Sequence, residues 1–227
     1  MGPLWVALTL ILVALWIWRL PERLARGYAH VSAAWDPPIL IQNIITPSEC
    51  KKVIEMADPN FTRSTVVAED SVHQSRTSES AWLSKDDPLV RKIIERAMEL
   101  TGKPFENCED MQVVRYKPGT YYRAHHDSCC DDNNFCTEFE AKGGQRVGTL
   151  LLYLNDEFTE GQTHFPDLDM KMTAPPGSGI FFRPLGTKDP RCHPKALHAG
   201  LPIKSGTKYG HRLLQHPYRS TCYHGRF

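Results

Sequence analysis

The sequence reads YYRAHHD at residues 121–127, a short strand pattern that ends in two histidines and an aspartate. Side chains alternate between the two faces of a strand, so residues two apart point to the same side. His125 and Asp127 are therefore predicted to face one way and His126 the other. A histidine and an aspartate at this spacing are frequent by chance, so their meaning depends on partners elsewhere in the chain.

Such partners occur in the C-terminal third, where His198-Ala199-Gly200 is followed ten residues later by Lys208. Two imidazoles and one carboxylate can occupy one face of an octahedral iron(II) ion and leave three positions open. The chain between Asp127 and His198 is long enough to cross a β-sandwich and return to the same end. A lysine is a compact cation that can pair with the far carboxylate of a dicarboxylate. Together these residues predict an oxygenase that uses iron(II) and 2-oxoglutarate.

Zinc is the competing metal, because Cys129, Cys130 and Cys136 could join a histidine at such an ion. Adjacent cysteines chelate one ion poorly, however, and the sequence has no C-x-x-C motif. Disulfides or free thiols are the preferred interpretation of this segment. The competing histidines, at 193, 211 and 224, are assigned to the surface or to packing.

Two helices are predicted in the first half of the chain, after a strand at 39–41. Thr46-Pro47-Ser48-Glu49 has the N-cap, first-turn proline and glutamate of a capping box. A second helix begins at Asp87-Pro88 and carries an apolar stripe at helical spacing, with Gly102 as its stop. The stripe is typical of a helix packed on a sheet.

From Met111 onward the pattern changes to short strands separated by turns. The predicted strands span 111–116, 121–125, 147–154, 179–184 and 208–216, and the polar segment 128–142 is predicted to be a loop over the mouth of the site. Helices followed by many strands indicate an α+β fold whose second part is a jelly roll or small barrel.

At these residues the chain resembles the prolyl 4-hydroxylases, a family of 2-oxoglutarate- and iron(II)-dependent dioxygenases of peptidyl proline. The resemblance runs from about Ile39 to Tyr218. Its motifs are RTS at 76–78, QVVRY at 112–116, YYRAHHD at 121–127, GGQR at 143–146, LYLND at 152–156, GQTHFP at 161–166, HAG at 198–200 and GTK at 206–208. The resemblance implies a double-stranded β-helix with supporting N-terminal helices, and hydroxylation of proline at C4 with conversion of 2-oxoglutarate to succinate.

The resemblance also implies roles for individual residues and cofactors. His125, Asp127 and His198 would ligate Fe(2+), and Lys208 would bind the C5 carboxylate of 2-oxoglutarate with help from Tyr116 and Thr163. The residues implied to line the groove for a proline-containing peptide are Glu109, Tyr122, Arg146 and His216. O2 would be the second cosubstrate, and L-ascorbate would keep the iron reduced.

Three departures from the family pattern concern the peptide rather than the cofactors. The family has tryptophan directly after the lysine and another aromatic six positions past it, whereas this chain has Tyr209 and Leu214. A cysteine-rich loop after Asp127 replaces a common aromatic run. These changes leave the iron and cosubstrate residues in place and bear on which peptide is accepted.

The N-terminus predicts a membrane anchor at 1–20, a juxtamembrane linker at 21–37 and the catalytic domain at 38–220. Residues 4–18 are uncharged and apolar apart from Thr9, which with their neighbours just reaches the length of a membrane helix. A cleaved signal peptide is the alternative, but it would have basic residues before the apolar core and a small-residue site close behind it. Arg19, Arg23 and Arg26 would keep the domain cytosolic under the positive-inside rule. Seven cysteines indicate the opposite, a disulfide-forming compartment, and favour a catalytic domain in the lumen of the endoplasmic reticulum.

The balanced net charge of +1 gives no basic field that would indicate nucleic-acid binding. Two alternatives to proline hydroxylation stay open at this point. One is a dioxygenase of the same fold acting on peptidyl lysine or another substrate, and the other is a membrane-tethered binding module that no longer catalyses. The sequence does not determine the oligomeric state.

Overall fold

The computed structural model describes residues 35–65, 74–130, 134–141, 143–186 and 192–217. Within those ranges no helix has the length and apolar character needed to cross a membrane. The predicted anchor at 1–20 lies outside the described residues, as do His224 and most of the linker.

Thirteen strands and three α-helices are described. The helices are α1 (Pro47–Ala57), α2 (Pro88–Met98) and α3 (Asn134–Glu140). The strands are β1 (Ile39–Ile41), β2 (Thr62–Arg63), β3 (Glu79–Leu83), β4 (Met111–Tyr116), β5 (Tyr122–His125), β6 (Gly148–Tyr153), β7 (Phe158–Glu160), β8 (Thr163–Phe165), β9 (Met170–Met172), β10 (Gly179–Phe182), β11 (His198–Gly200), β12 (Ile203–Gly206) and β13 (Lys208–Gln215).

Two antiparallel sheets form the body of the fold. The large sheet has seven strands in the order β1-β10-β6-β13-β4-β3-β2, and the small sheet has four in the order β5-β11-β8-β9. A separate β12-β7 pair leads into β13. Because most neighbouring strands are distant in the chain, each sheet assembles residues from several motifs. This mostly β architecture with two N-terminal helices agrees with the predicted jelly roll.

The two predicted helices begin where the sequence places them. Thr46 and Glu49 form the reciprocal capping box, with the Glu49 N–H donating to Thr46 Oγ1 at 3.2 Å and the Thr46 N–H donating to Glu49 Oε2 at 2.9 Å. Asp87 accepts from the backbone N–H groups of Leu89 and Val90 at 2.8 and 3.1 Å. The apolar stripe of α2 is buried in one cluster with residues of β3, β4, β6 and β13, so the helices back the large sheet.

The structure differs from the sequence-based expectation in three places. The segment 128–142 is not wholly a loop, because it contains α3. Helix α2 ends at Met98, and Gly102 follows one turn later with φ +65° while its N–H donates to the Met98 carbonyl at 2.9 Å. Strands β7, β8, β9 and β11 were not predicted, because they have three residues each and, unlike the Ile39–Ile41 run of β1, none is a continuous run of branched apolar residues.

Asp87→Ala should lower the free energy of unfolding by about 1 kcal/mol, because two backbone donors at the start of α2 lose their acceptor. Asp86→Ala is the matched control, since the Asp86 side chain is largely exposed and forms a 3.5 Å ion pair with Arg91. Its effect should stay below about 0.5 kcal/mol. Equal effects of the two substitutions in urea unfolding would show that the cap does not stabilise the helix.

Candidate metal centre and cosubstrate pocket

The three predicted metal ligands meet at one point of the small sheet. His125 ends β5, Asp127 follows two residues later, and His198 begins β11, where it is paired directly with His125. One ligand atom from each residue lies within 4.8 Å of the other two. Asp127 Oδ1 is 3.6 Å from His125 Nε2, and Asp127 Oδ2 is 3.7 Å from His198 Nε2.

Both imidazoles are held in the orientation and tautomer that a metal ligand requires. His125 Nδ1 lies 2.9 Å from the Arg123 carbonyl, and His198 Nδ1 lies 3.0 Å from the Ala196 carbonyl. A carbonyl only accepts hydrogen bonds, so each Nδ1 carries the proton and each Nε2 presents a lone pair. His125 Nε2 is buried and has no hydrogen-bond partner among the described residues. A buried nitrogen without a hydrogen-bond partner, which faces His198 Nε2 and the Asp127 carboxylate, fits a metal-binding site.

Burial keeps both imidazoles neutral. It lowers the pKa of His198 to about 4 and also lowers the pKa of His125. Neutral imidazole is the form that binds metal, so the site is ready for a cation at neutral pH.

Asp127 is ionised although it is buried. Thr149 Oγ1 donates to its Oδ2 at 2.8 Å, and Arg212 Nη1 donates to its Oδ1 at 3.1 Å. Burial alone would raise the pKa of Asp127, but its charged neighbours hold it well below its ordinary value, and Arg212 is the neighbour that stays cationic while both imidazoles are neutral. The donor set of two nitrogens and one carboxylate, open on the pocket side, fits iron(II) better than a closed structural zinc site.

Lys208 lines the same pocket as the two histidines of the triad. Its Nζ donates to the Gly161 carbonyl at 2.7 Å and to the Tyr153 hydroxyl at 3.3 Å. Burial lowers the pKa of Lys208 to about 7. No carboxylate in the described part of the chain forms an ion pair with this ammonium group. An anionic ligand would stabilise the charged form of this buried lysine and so raise its pKa again.

The hydroxyl-bearing residues predicted to assist Lys208 are also in the pocket wall. Tyr116 and Thr163 both line it, and Thr163 Oγ1 is 2.9 Å from the Tyr153 hydroxyl. Gly200 leaves room for Tyr116, because a Cβ at this position would lie 3.1 Å from the tyrosine oxygen. This contact explains a glycine in the His-Ala-Gly motif.

The structure places the four residues predicted to line the peptide groove in two different locations. Tyr122 lines the pocket and stacks on the His125 ring at 3.6 Å between centroids. Glu109, Arg146 and His216 instead form a buried cluster, in which Glu109 Oε1 accepts from Arg146 Nε and contacts His216 Nε2, each at 2.8 Å. Arg146 Nη1 also donates to the Asp127 carbonyl at 2.8 Å. The groove role of these three residues stays a prediction.

Two disulfides follow the ligand Asp127, and one of them connects its segment to the segment that carries His198. Cys129 is bonded to Cys136, and Cys130, three residues after Asp127, is bonded to Cys192, six residues before His198. The sulfurs of Cys130 and Cys192 also lie near His126 in a group with metal-ligand spacing. Their sulfurs are joined to each other, in agreement with the preference for disulfides over zinc.

Three residues of the site are absent from the sequence-based assignment: Thr149, Tyr153 and Arg212. Alternation along β13 could have revealed Arg212, because it shares a face with Lys208. Thr149 and Tyr153 stand at the two ends of an apolar strand, and nothing in that pattern distinguishes them from packing residues. Of the histidines set aside, His211 lines the pocket and is buried, and His193 stacks on Trp35.

Comparison with known proteins agrees with this geometry. The model of the 2OG-Fe(II) oxygenase superfamily matches residues 111–215. A prolyl 4-hydroxylase homologue of Acanthamoeba polyphaga mimivirus is 41% identical over 81% of this chain and 75% of its own length. Prolyl 4-hydroxylase 1 of Arabidopsis thaliana is 30% identical over 78% of this chain and 68% of its own length. The viral collagen prolyl hydroxylase of Paramecium bursaria Chlorella virus-1, solved as its 2OG complex, is 30% identical with a TM-score of 0.61, covering 79% of this chain and 95% of that one.

The chain therefore belongs to the prolyl 4-hydroxylase family of iron(II)- and 2-oxoglutarate-dependent oxygenases. The matched region contains the triad, Lys208 and every strand that carries them.

Thr149→Val should raise the dissociation constant for iron(II) about tenfold or more, because Asp127 Oδ2 loses the donor that orients it. Valine keeps the volume of the buried threonine, so the fold should survive. Thr159→Val is the matched control, since Thr159 is exposed on β7. If Thr149→Val lowered stability and left iron affinity unchanged, Thr149 would be a packing residue only.

The iron-free protein should lose stability as the pH falls from about 6.5 to about 4. The folded state keeps His198 and His211 neutral there, since burial lowers the pKa of each to about 4. The unfolded chain binds those protons near pH 6.5, so acid favours unfolding. His211→Gln should make the dependence shallower by up to ~1.4 kcal/mol per pH unit, measured by urea unfolding at several pH values. A dependence as steep as wild type would exclude His211 as a contributor.

Proposed function

We propose that this protein hydroxylates C4 of proline residues in a peptide or protein, with iron(II) as cofactor and 2-oxoglutarate and O2 as cosubstrates. The observation that carries the proposal is the convergence of His125, Asp127 and His198 beside a pocket that the two histidines and Lys208 line. Among the described residues no carboxylate pairs with the Lys208 ammonium. The triad fits iron(II), and the ammonium fits a ligand with a carboxylate remote from the metal.

Bound iron, 2-oxoglutarate and O2 would supply the oxidising chemistry that replaces a hydrogen on the proline ring with a hydroxyl and converts 2-oxoglutarate to succinate and CO2. The protein's own residues bind and orient. Lys208, with the hydroxyls of Tyr116, Tyr153 and Thr163, receives the far carboxylate of the cosubstrate. Val114, Leu151 and Leu152 of the large sheet also line the pocket and would limit the water in it.

Tyr122 gives the best indication of where the peptide lies. Its ring covers His125, and Arg76 lies over the tyrosine ring at 4.8 Å. Because those two residues lie against the faces of the ring, the half-buried Tyr122 would contact a proline through its edge. Collagen-like Pro-Pro-Gly repeats are the first peptide to test, because a solved relative is a collagen prolyl hydroxylase.

The cellular setting is part of the same proposal. The apolar segment 4–18 supports a single-pass anchor, and the two disulfides beside the metal site support an oxidising compartment such as the lumen of the endoplasmic reticulum. L-ascorbate would keep the iron in its ferrous state between turnovers. Protease protection of the full chain in microsomes tests the orientation, and digestion of the catalytic domain in intact microsomes would contradict a luminal location.

Purified protein supplied with iron(II) and 2-oxoglutarate should release succinate and form 4-hydroxyproline when a proline-rich peptide is added. Asp127→Ala should abolish both products, because the remaining two imidazoles hold iron weakly. Succinate coupled to hydroxylysine instead, in peptides containing both residues, would transfer the proposal to the lysine alternative. No product with any peptide would favour the binding module.

Lys208→Ala should raise the KM for 2-oxoglutarate at least about tenfold, because the cosubstrate loses a charge-assisted hydrogen bond. The value of kcat at saturating cosubstrate should change less. Lys204→Ala is the matched control, since that lysine is 76% exposed on β12. An unchanged KM in Lys208→Ala would remove Lys208 from the cosubstrate site.

A further inference from the structure

Arg212 is a buried cation of the pocket whose donors are only partly used. Its side chain is 8% exposed and lines the same pocket as Lys208. Its single hydrogen bond to the described residues runs from Nη1 to Asp127 Oδ1, at 3.1 Å. The Nε atom is buried and has no partner in that part of the chain. A buried donor without an acceptor costs free energy that a suitable ligand would recover.

Arg76 provides an internal comparison, because it is equally buried in the same wall. Its Nε donates to Ser78, its Nη1 to the Thr65 carbonyl, and its Nη2 to Ser80 and Gln112. Every guanidinium nitrogen of Arg76 therefore donates to the protein, whereas for Arg212 only Nη1 donates to a described residue. The difference indicates that N–H groups of the Arg212 guanidinium can donate to an acceptor that does not belong to the chain.

The position of Arg212 relative to Lys208 defines the shape of that acceptor. The two residues lie four apart on β13 and share one face, with Gly210 between them, and all three line the pocket. Their Cα atoms are thus roughly 13 Å apart, and both long side chains enter the pocket from that strand. Lys208 lies at the end near Gly161, and Arg212 lies at the end beside the metal ligand Asp127.

The charges around the pocket require an anion. Its described lining contains Arg76, Lys208 and Arg212 and no acidic side chain. The single carboxylate beside it, Asp127, would be engaged by a bound cation. Iron(II) would add two further positive charges next to Arg212. A ligand with one negative charge at each end offsets both cationic ends at once.

We propose that Arg212 binds the C1 carboxylate of 2-oxoglutarate, so that Lys208 and Arg212 hold the two ends of the cosubstrate from a single strand. The inference rests on the proposed function and deepens it, because it assigns the second carboxylate to a particular residue. Arginine suits this role, since its planar guanidinium can bond Asp127 with one edge and the ligand with another.

The test is an anaerobic titration of the iron(II)-loaded protein with two ligands, followed by the visible absorption that a 2-oxo acid produces on iron(II). 2-Oxoglutarate has both carboxylates, whereas 2-oxopentanoate has only the C1 carboxylate. Arg212→Gln should weaken both ligands about tenfold or more and shift the absorption band. Lys208→Ala should weaken 2-oxoglutarate alone. Arg115→Gln is the matched control, because Arg115 lies on the adjacent β4 outside this pocket lining and pairs with Glu79.

Two results would overturn the assignment. Unchanged binding of both ligands in Arg212→Gln would do so, as would a loss confined to iron affinity with normal ligand binding at saturating iron. The second result would make Arg212 a support of Asp127 only. If Arg212→Gln does not fold, Arg212→Lys answers the same question, because it keeps the charge and removes the second edge of the guanidinium. Absence of the absorption band in wild-type protein would contradict the proposed function itself.

Discussion

The antiparallel pairing of β5 with β11 is the contact on which the site depends. It sets His198 directly opposite His125, and the strand end then delivers Asp127 to the same face. Pairing of these two strands brings together segments about 70 residues apart in the chain. Displacement of the register by one residue would turn one imidazole to the opposite face and leave no shared position for a metal.

This arrangement requires the burial of many charged groups around a single pocket. Asp127, Arg212 and Lys208 are all nearly inaccessible, and Glu109 and Arg146 form a second buried pair behind the Asp127 backbone. Replacing such groups with apolar residues of similar volume is often neutral or stabilising in proteins. The proposed binding of a cation by Asp127 and of an anion by Lys208 and Arg212 would account for the burial of those three charges. The buried pair is nevertheless internally satisfied, and Arg146 with His216 keeps the pKa of Glu109 at about 2 despite its burial.

Much of the fold and of the metal site could be predicted because the relevant residues leave local patterns. The capping box at Thr46 and the cap at Asp87 each involve residues within one helical turn, and the apolar stripe of α2 repeats at helical spacing. The structure confirms all three. His125 and Asp127 are likewise related by alternation within one strand.

The three-residue strands of the small sheet could not be predicted, since they are defined by pairing with other segments of the chain. For the same reason nothing in the sequence linked Thr149 to Asp127, or separated Tyr122 in the pocket wall from Glu109, Arg146 and His216 behind it.

We expect His125, Asp127 and His198 together to hold one iron ion at the end of this pocket. Anomalous X-ray diffraction at the iron edge, from crystals of the iron-loaded protein grown without oxygen, would locate that ion. One anomalous peak per chain is expected, within bonding distance of both Nε2 atoms and a carboxylate oxygen of Asp127. A peak beside His126 and Cys192 instead, or a peak that keeps its place and height in Asp127→Ala crystals, would contradict it.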